Sequence, residues 1–371
     1  MAATKWSFRL TDKNRVPIGE ILNASERKAK LGIRQIDTAS FKIATSNDLV
    51  LPLFAEDTYL QVWQGSKIRF FGPVLSAEMA SDESGSGADT IAVSAVSPSW
   101  RLTKRLSNKS PGPLAYPGTP DKADIARNEI AKTNSETGET GIETVATTCG
   151  NLGAYTIPTY AKVMGIIREL SNGFDGFDWQ FTPLASGGVK LVRFEAAAVI
   201  GVQRQDIAFE YGTGLHNMRS CSFKRDLSGL LNNAYHITDN GPADPAGVVN
   251  VSNAASKTEH GIYEDVIESA GLYDITLRTN WTRENVEVRG VPRLIFTMTS
   301  DLVEGNGRTP EAFIDYTPGD FVIARLVKNN VRFVNGFVRC YNIEVSVDNN
   351  GTPTFTPTLV EEEGEGAEES S

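Results

Sequence analysis

Residues 315–360, DYTPGDFVIARLVKNNVRFVNGFVRCYNIEVSVDNNGTPTFTPTLV, decide the reading of this chain. Pro318-Gly319-Asp320 is a turn that launches a strand over 321–327, and Lys328-Asn329-Asn330 turns it around. Residues 331–347 run on, rich in β-branched and aromatic side chains. Asn349-Asn350-Gly351 supplies the positive-φ positions of a tight hairpin, and 354–360 returns. The spacing predicts a meander that closes a β-barrel or sandwich. It carries no nucleophile, base or metal cluster, which points to a building block rather than an enzyme.

The same period of two recurs at the other end of the chain. Residues 6–11, 33–43, 58–64, 66–77 and 89–96 alternate, with Gly65 and the polar stretch 81–87 as turns. Tyr59, Val62 and Phe70 fit interior positions of such a β-domain. The pattern changes after residue 97. Residues 121–134 (DKADIARNEIAKTN) read as a helix with Asp121 at its cap and Ile125 and Ile130 as anchors. The spacing of Val163, Ile166, Ile167 and Leu170 predicts a helix over 157–171, ended by Asn172-Gly173. Residues 177–182 and 188–194 then read as a hairpin. Beyond them, 218–223 and 233–238 resume the β pattern, with Asp239-Asn240-Gly241 as a turn. Residues 244–255 read as a loop, 261–290 as partly helical around Tyr263, Val266 and Ile267, and 294–299 as a strand, with 305–308 as a polar loop.

At 371 residues the chain exceeds one ordinary core. The pattern predicts a mainly β fold with α+β insertions: a first β-domain, a small α/β unit and a second β-domain split by a partly helical insertion. The divisions are 1–100 for the first β-domain and 101–215 for the α/β unit. Residues 361–371 form an acidic tail holding Glu361, Glu362, Glu363, Glu365, Glu368 and Glu369. Formal charge is -10, and discounting those six glutamates leaves about -4 on the body. With no basic face in the sequence, sequence-independent phosphate binding is disfavoured. The tail reads as a solvating extension, or as an arm that docks on a basic partner. No apolar run is long enough to span a membrane, and residues 1–9 lack the apolar core of a secretory signal.

Candidate chemistry is sparse. Cys149, Cys221 and Cys340 lie far apart without metal spacing and read as small apolar residues of a reducing compartment. His216, His236 and His260 form no zinc arrangement, so each reads as structural or surface. No nucleophile elbow or phosphate-binding loop is present, and the glycines of 150–153 and 305–307 read as loop glycines. Arg101, Lys104 and Arg105, a short basic run, read as a solvated face. Asp348-Asn349-Asn350-Gly351 resembles a calcium loop but lacks the downstream glutamate, so it reads as a hairpin turn. Asp175 and Asp178 beside Trp179 could form a glycan-cleaving carboxylate pair with a sugar platform. The simpler reading is a helix-exit loop whose aromatics enter the core. No catalytic, cofactor-binding or metal residue is therefore assigned, and no cofactor.

The order of parts resembles the central baseplate hub proteins of long-tailed phages, the minor tail proteins related to the myophage hub. The resemblance rests on 100–106 with 121–133, on 157–171 leading into 177–181, and on 220–240 and 317–360. It implies a non-enzymatic virion protein of the tail tip, made in the host cytoplasm. Two tube-type barrels per chain, 1–100 and 216–240 joined with 313–360, with 101–215 and 241–312 as outer or inserted parts, would form a homotrimeric, pseudo-sixfold ring adapting the sixfold tube to a threefold tip. The distal tail protein and the tape-measure protein are the implied neighbours, and DNA passes through the lumen without specific binding. The chain stops just after the last strand, so the lytic or fibre extensions of some relatives are not expected. A glycan- or receptor-binding tail-tip protein is the alternative, and a wall hydrolase using Asp175 or Asp178 a third reading.

Overall fold

The computed structural model describes residues 4–361 except 55–56, 81–88, 137–139, 153–154, 173–175, 186–187, 213–216, 239–246, 270–274, 301–308 and 329–330. The closing meander forms as expected from strands Phe321–Lys328, Val331–Val347 and Pro353–Val360, all antiparallel. Asp348 accepts N–H bonds from Asn350 (2.9 Å) and Thr352 (2.7 Å), and Gly351 has φ +82°. That stretch is a turn held by its own carboxylate.

A second meander of the same construction lies near the start: Tyr59–Gln64, Lys67–Ala80 and Thr90–Val96. In both, the middle strand is long and changes partner halfway. Residues 67–73 pair with Tyr59–Gln64 and 74–80 with Thr90–Val96, with a register shift between Val74 and Ser76. Residues 331–339 pair with Phe321–Lys328 and 339–347 with Pro353–Val360, shifting between Cys340 and Asn342. Two further antiparallel strands extend each meander on the same side. They are Thr38–Ala44 and Ala24–Gly32 in the first, and Arg293–Ser300 and Met218–Asp226 in the second. The chain thus contains two five-strand modules of like order. A shift at the partner change bends a strand, which lets one strand serve two walls of a curved sheet.

The modules join edge to edge. Residues 342–347 pair antiparallel with 27–32, which makes one continuous 13-stranded sheet. They also share a core: Trp6, Phe41 and Ile91 of the first belong to the same buried cluster as Phe296, Ile343 and Phe355 of the second. Trp6 meets Phe355 edge-on at 6.1 Å, and its backbone N–H donates to the Gly351 carbonyl at 3.1 Å.

The α/β unit has its own core. Asp121 caps helix Lys122–Ser135 through the N–H groups of Ala123 and Asp124. Helix Val163–Asn172 buries Val163, Ile166, Ile167 and Leu170, each worth about 1.5–3 kcal/mol relative to exposure. The first helix packs over a small sheet of Asp178–Pro183, Val192–Ala197 and Ile142–Thr144, and the second packs on the first within the same core.

Several assignments move. The helix expected from 157 begins at Val163, because Tyr155–Ile157 is a strand paired with Leu114–Tyr116 and Pro158 opens a turn. Gln203–Tyr211, placed with the α/β unit, runs parallel to Phe321–Lys328 in the large sheet. Asn233–Thr238, placed with the second β-domain, pairs instead with Val249–Ser252 and Glu264–Ser269. Those two strands fall in stretches read as loop and as part-helix. Helix Ile275–Arg289 packs on this three-stranded unit, burying Leu231, Ala234 and Val286. Arg293–Ser300, assigned to the insertion, belongs to the large sheet. Alternation marks a strand but not its partner, so the misplaced strands are errors of pairing, while the helix start and the two strands read as loop and part-helix are errors of element type. The mainly β class with α+β insertions stands. The turn at 239–241, the polar stretches 81–87 and 305–308, and tail residues 362–371 lie outside the described residues.

Candidate functional site: a clamped junction and two open strand edges

Asp178 begins the strand after the second helix of the α/β unit and is fully buried. Its Oδ1 accepts from Arg34 Nε at 2.7 Å, and its Oδ2 from the Ile200 N–H at 2.7 Å. Arg339, on the long middle strand of the second module and 3% exposed, donates Nη2 to the same Oδ2. Arg34 follows the last sheet strand of the first module, and its own N–H donates to the Trp179 carbonyl at 2.8 Å. Arg339 also donates to the carbonyls of Gly319 (3.2 Å) and Ile200 (3.1 Å) and stacks 5.0 Å over Phe321. One carboxylate therefore ties the α/β unit to both β-modules. Its oxygens are spent on arginine and amide donors inside the protein, so it is not presented to a glycan. Trp179 is likewise buried, edge-on to Phe181 at 5.7 Å, and is no sugar platform. Asp175 lies outside the described residues.

The remaining candidates that are described make contacts within the chain. His236 is buried, bonded to Thr282 Oγ1 at 2.9 Å and set against Trp281; burial, then Arg278, lowers its pKa to about 4. His260 contacts Arg225 at 3.4 Å, and His216 is outside the described residues. Arg101 donates to the Thr140 carbonyl and the Tyr59 hydroxyl, Arg105 to Glu136, and Lys104 lies over Trp100. Of the run read as a solvated basic face, Lys104 is exposed, Arg105 pairs within the α/β unit, and Arg101 bridges that unit and the first module. All three cysteines are free; burial raises the Cys149 and Cys340 thiols, which disfavours thiolate chemistry. Among the described residues no group of three or more His, Cys, Asp or Glu could hold a metal ion, and no helix is long and apolar enough to cross a membrane.

Sequence reading missed Asp37. It is 8% exposed, accepts the Gly32 N–H at 2.9 Å, and borders a cavity of 190 Å³ with Arg69, Phe181 and Pro318. Burial pushes its pKa up to about 8. Arg34 and Arg339 were missed too. Alternation places Arg339 on the face opposite Val338 and Cys340, and nothing local says that the α/β unit covers that face.

What the surface does offer is edges. Met218–Asp226 ends the sheet path, and residues 74–80 pair with Thr90–Val96 alone among the described residues. Leu75 (46%), Met79 (58%) and Phe223 (47%) are exposed along them. An edge with exposed apolar side chains is a template for another strand. A separate apolar patch joins the short edge strand Pro17–Glu20 to helix Val50–Leu53, where Leu51 and Phe54 are exposed.

No protein-family model matches the sequence, and no curated protein matches it. Solved structures do. A tail protein from Neisseria meningitidis superposes with TM-score 0.59 at 9% identity, over 96% of this chain and 97% of that one. The 43 kDa tail protein of prophage MuSo2 from Shewanella oneidensis gives 0.59 at 11% identity, over 95% and 98%. Prophage tail protein gp18 from Listeria monocytogenes gives 0.53 at 12% identity, over 96% and 95%. The chain has the fold of these tail proteins over nearly its whole length, which is the fold that the order of its parts resembled.

Proposed function

We propose that this chain is a structural hub protein of a phage tail tip. It assembles as a homotrimer whose six β-modules form a pseudo-sixfold ring, matching a sixfold tube to a threefold tip. The carrying observation is the internal duplication: two five-strand modules with the same strand order and the same register shift in the middle strand. Two like modules per chain turn three copies into six near-equivalent units, and closed rings use repeated interfaces. The tail-protein fold supports the same reading. The distal tail protein above and the end of the tape-measure protein within are the expected neighbours. DNA leaves through the lumen, where a negative chain (formal charge -10) repels phosphate rather than binding it. The role is geometric and non-enzymatic, and the buried, arginine-held Asp178 argues against the hydrolase reading.

A density map of the assembled tail tip tests this. Three copies around the exit channel, with six modules lining it, is the expected result. A peripheral, lumen-free position would overturn it and favour a receptor-binding role.

A further inference from the structure

Within the chain, the first module docks on the second through a free edge: residues 27–32 add to the outer side of residues 342–347. The duplication defines the equivalent positions. The register shifts bring Cys340 onto Val74, so Glu344 and Val345 correspond to Glu78 and Met79. On the other edge, Lys30 opposes Thr38 and Lys224 opposes Ile295. Thr38 and Ile295 oppose Val96 and Val360, which occupy like positions in the two meanders. Lys30 therefore corresponds to Lys224, and Ala29 to Phe223.

The in-chain junction uses the edge of residues 27–32 and the outer side of residues 342–347. Their counterparts are the edges 218–226 and 74–80, on whose outer side no strand is paired among the described residues. We infer that strand Met218–Asp226 of one protomer adds antiparallel to residues 74–80 of the next, in the register that places Phe223 opposite Met79 and Lys224 opposite Glu78.

The side chains agree with that register. Glu344 opposes Lys30 within the chain, and the inferred pair Glu78–Lys224 repeats the opposite charges. Val345 (0% exposed) opposes Ala29 (1%) in the shared core, whereas Met79 (58%) and Phe223 (47%) stand exposed at the equivalent places. Meeting across two protomers, they would be covered as Val345 and Ala29 are. A shift by one residue would send each side chain to the wrong face and set Lys224 against Met79.

This deepens the hub reading and rests on it for the number of copies; the register comes from the internal comparison. The test uses the full chain with Cys221→Ser, Met79→Cys and Phe223→Cys, treated at rising concentration with a short thiol-to-thiol cross-linker. Covalent dimers and trimers are expected. The control pair Met79→Cys with Lys224→Cys, one residue out of step, should cross-link about tenfold more slowly. Glu78→Lys should lower the trimer yield, and adding Lys224→Glu should restore it. A trimer by light scattering without preferential cross-linking overturns the inferred pairing and leaves the ring standing. A monomer at every concentration, uncross-linked, overturns both.

Discussion

Cutting the junction at Asp178 gives the sharpest test of how the three parts of this chain are held. Asp178→Ala removes the carboxylate that Arg34, Arg339 and the Ile200 N–H share. Arg339 then stays buried, its side chain 4% exposed, and loses the carboxylate that it pairs with here. Orphaning one member of a buried pair costs about 3–5 kcal/mol, whereas an exposed ion pair costs about 1 kcal/mol or less. The Ile200 amide also loses its acceptor, about 1–3 kcal/mol taken alone, though the two losses share one site and do not simply add. The expected total is therefore about 3–5 kcal/mol. Urea denaturation followed by tryptophan fluorescence reads it, since Trp179 is the neighbouring residue. The double variant Asp178→Ala with Arg339→Met removes the other charge of the pair and should recover most of the loss. A loss under about 1 kcal/mol, or a double variant as unstable as the sum of the singles, refutes the clamp.

Three further outcomes follow from the geometry. Asp37 has a folded-state pKa of about 8, above its ordinary value, so the native state holds its proton more tightly than the unfolded chain. Stability from this group is full below about pH 4 and lost as pH rises through 8. Melting temperatures measured across that window should fall with pH, and Asp37→Asn should flatten the slope; an unchanged slope removes the assignment. Asp121→Ala should cost about 2 kcal/mol, the upper range for a cap. That carboxylate caps a helix and also accepts the N–H groups of Cys149 (2.9 Å) and Gly150 (2.8 Å). A chemical melt within error of the parent would contradict it. At Gly72 an added Cβ would stand 1.8 Å from the Val96 carbonyl oxygen, a backbone atom that cannot swing aside. Gly72→Ala should destabilise by about 1–3 kcal/mol or more, and an unaltered melting temperature would show that the strands separate freely there.

The sequence by itself determined the strands of both meanders, the hairpin at Asp348–Gly351, the Asp121 cap and the apolar stripe of the second helix. These depend on neighbours a few residues apart, where turn chemistry and alternation carry the information. It also pointed away from metal and nucleophile chemistry, because those need residue types at set spacings. Tertiary structure alone decided which strand pairs with which. Asn233–Thr238 and Gln203–Tyr211 read as good strands and sit in different sheets from those expected. It alone decided that Asp178 is a clamp, since its partners Arg34 and Arg339 lie 144 and 161 residues away. A period of two states which face a side chain takes, never what will cover that face. Two β-domains were legible, but their like strand order was hidden in the letters, because it is carried by backbone register and the places where register slips.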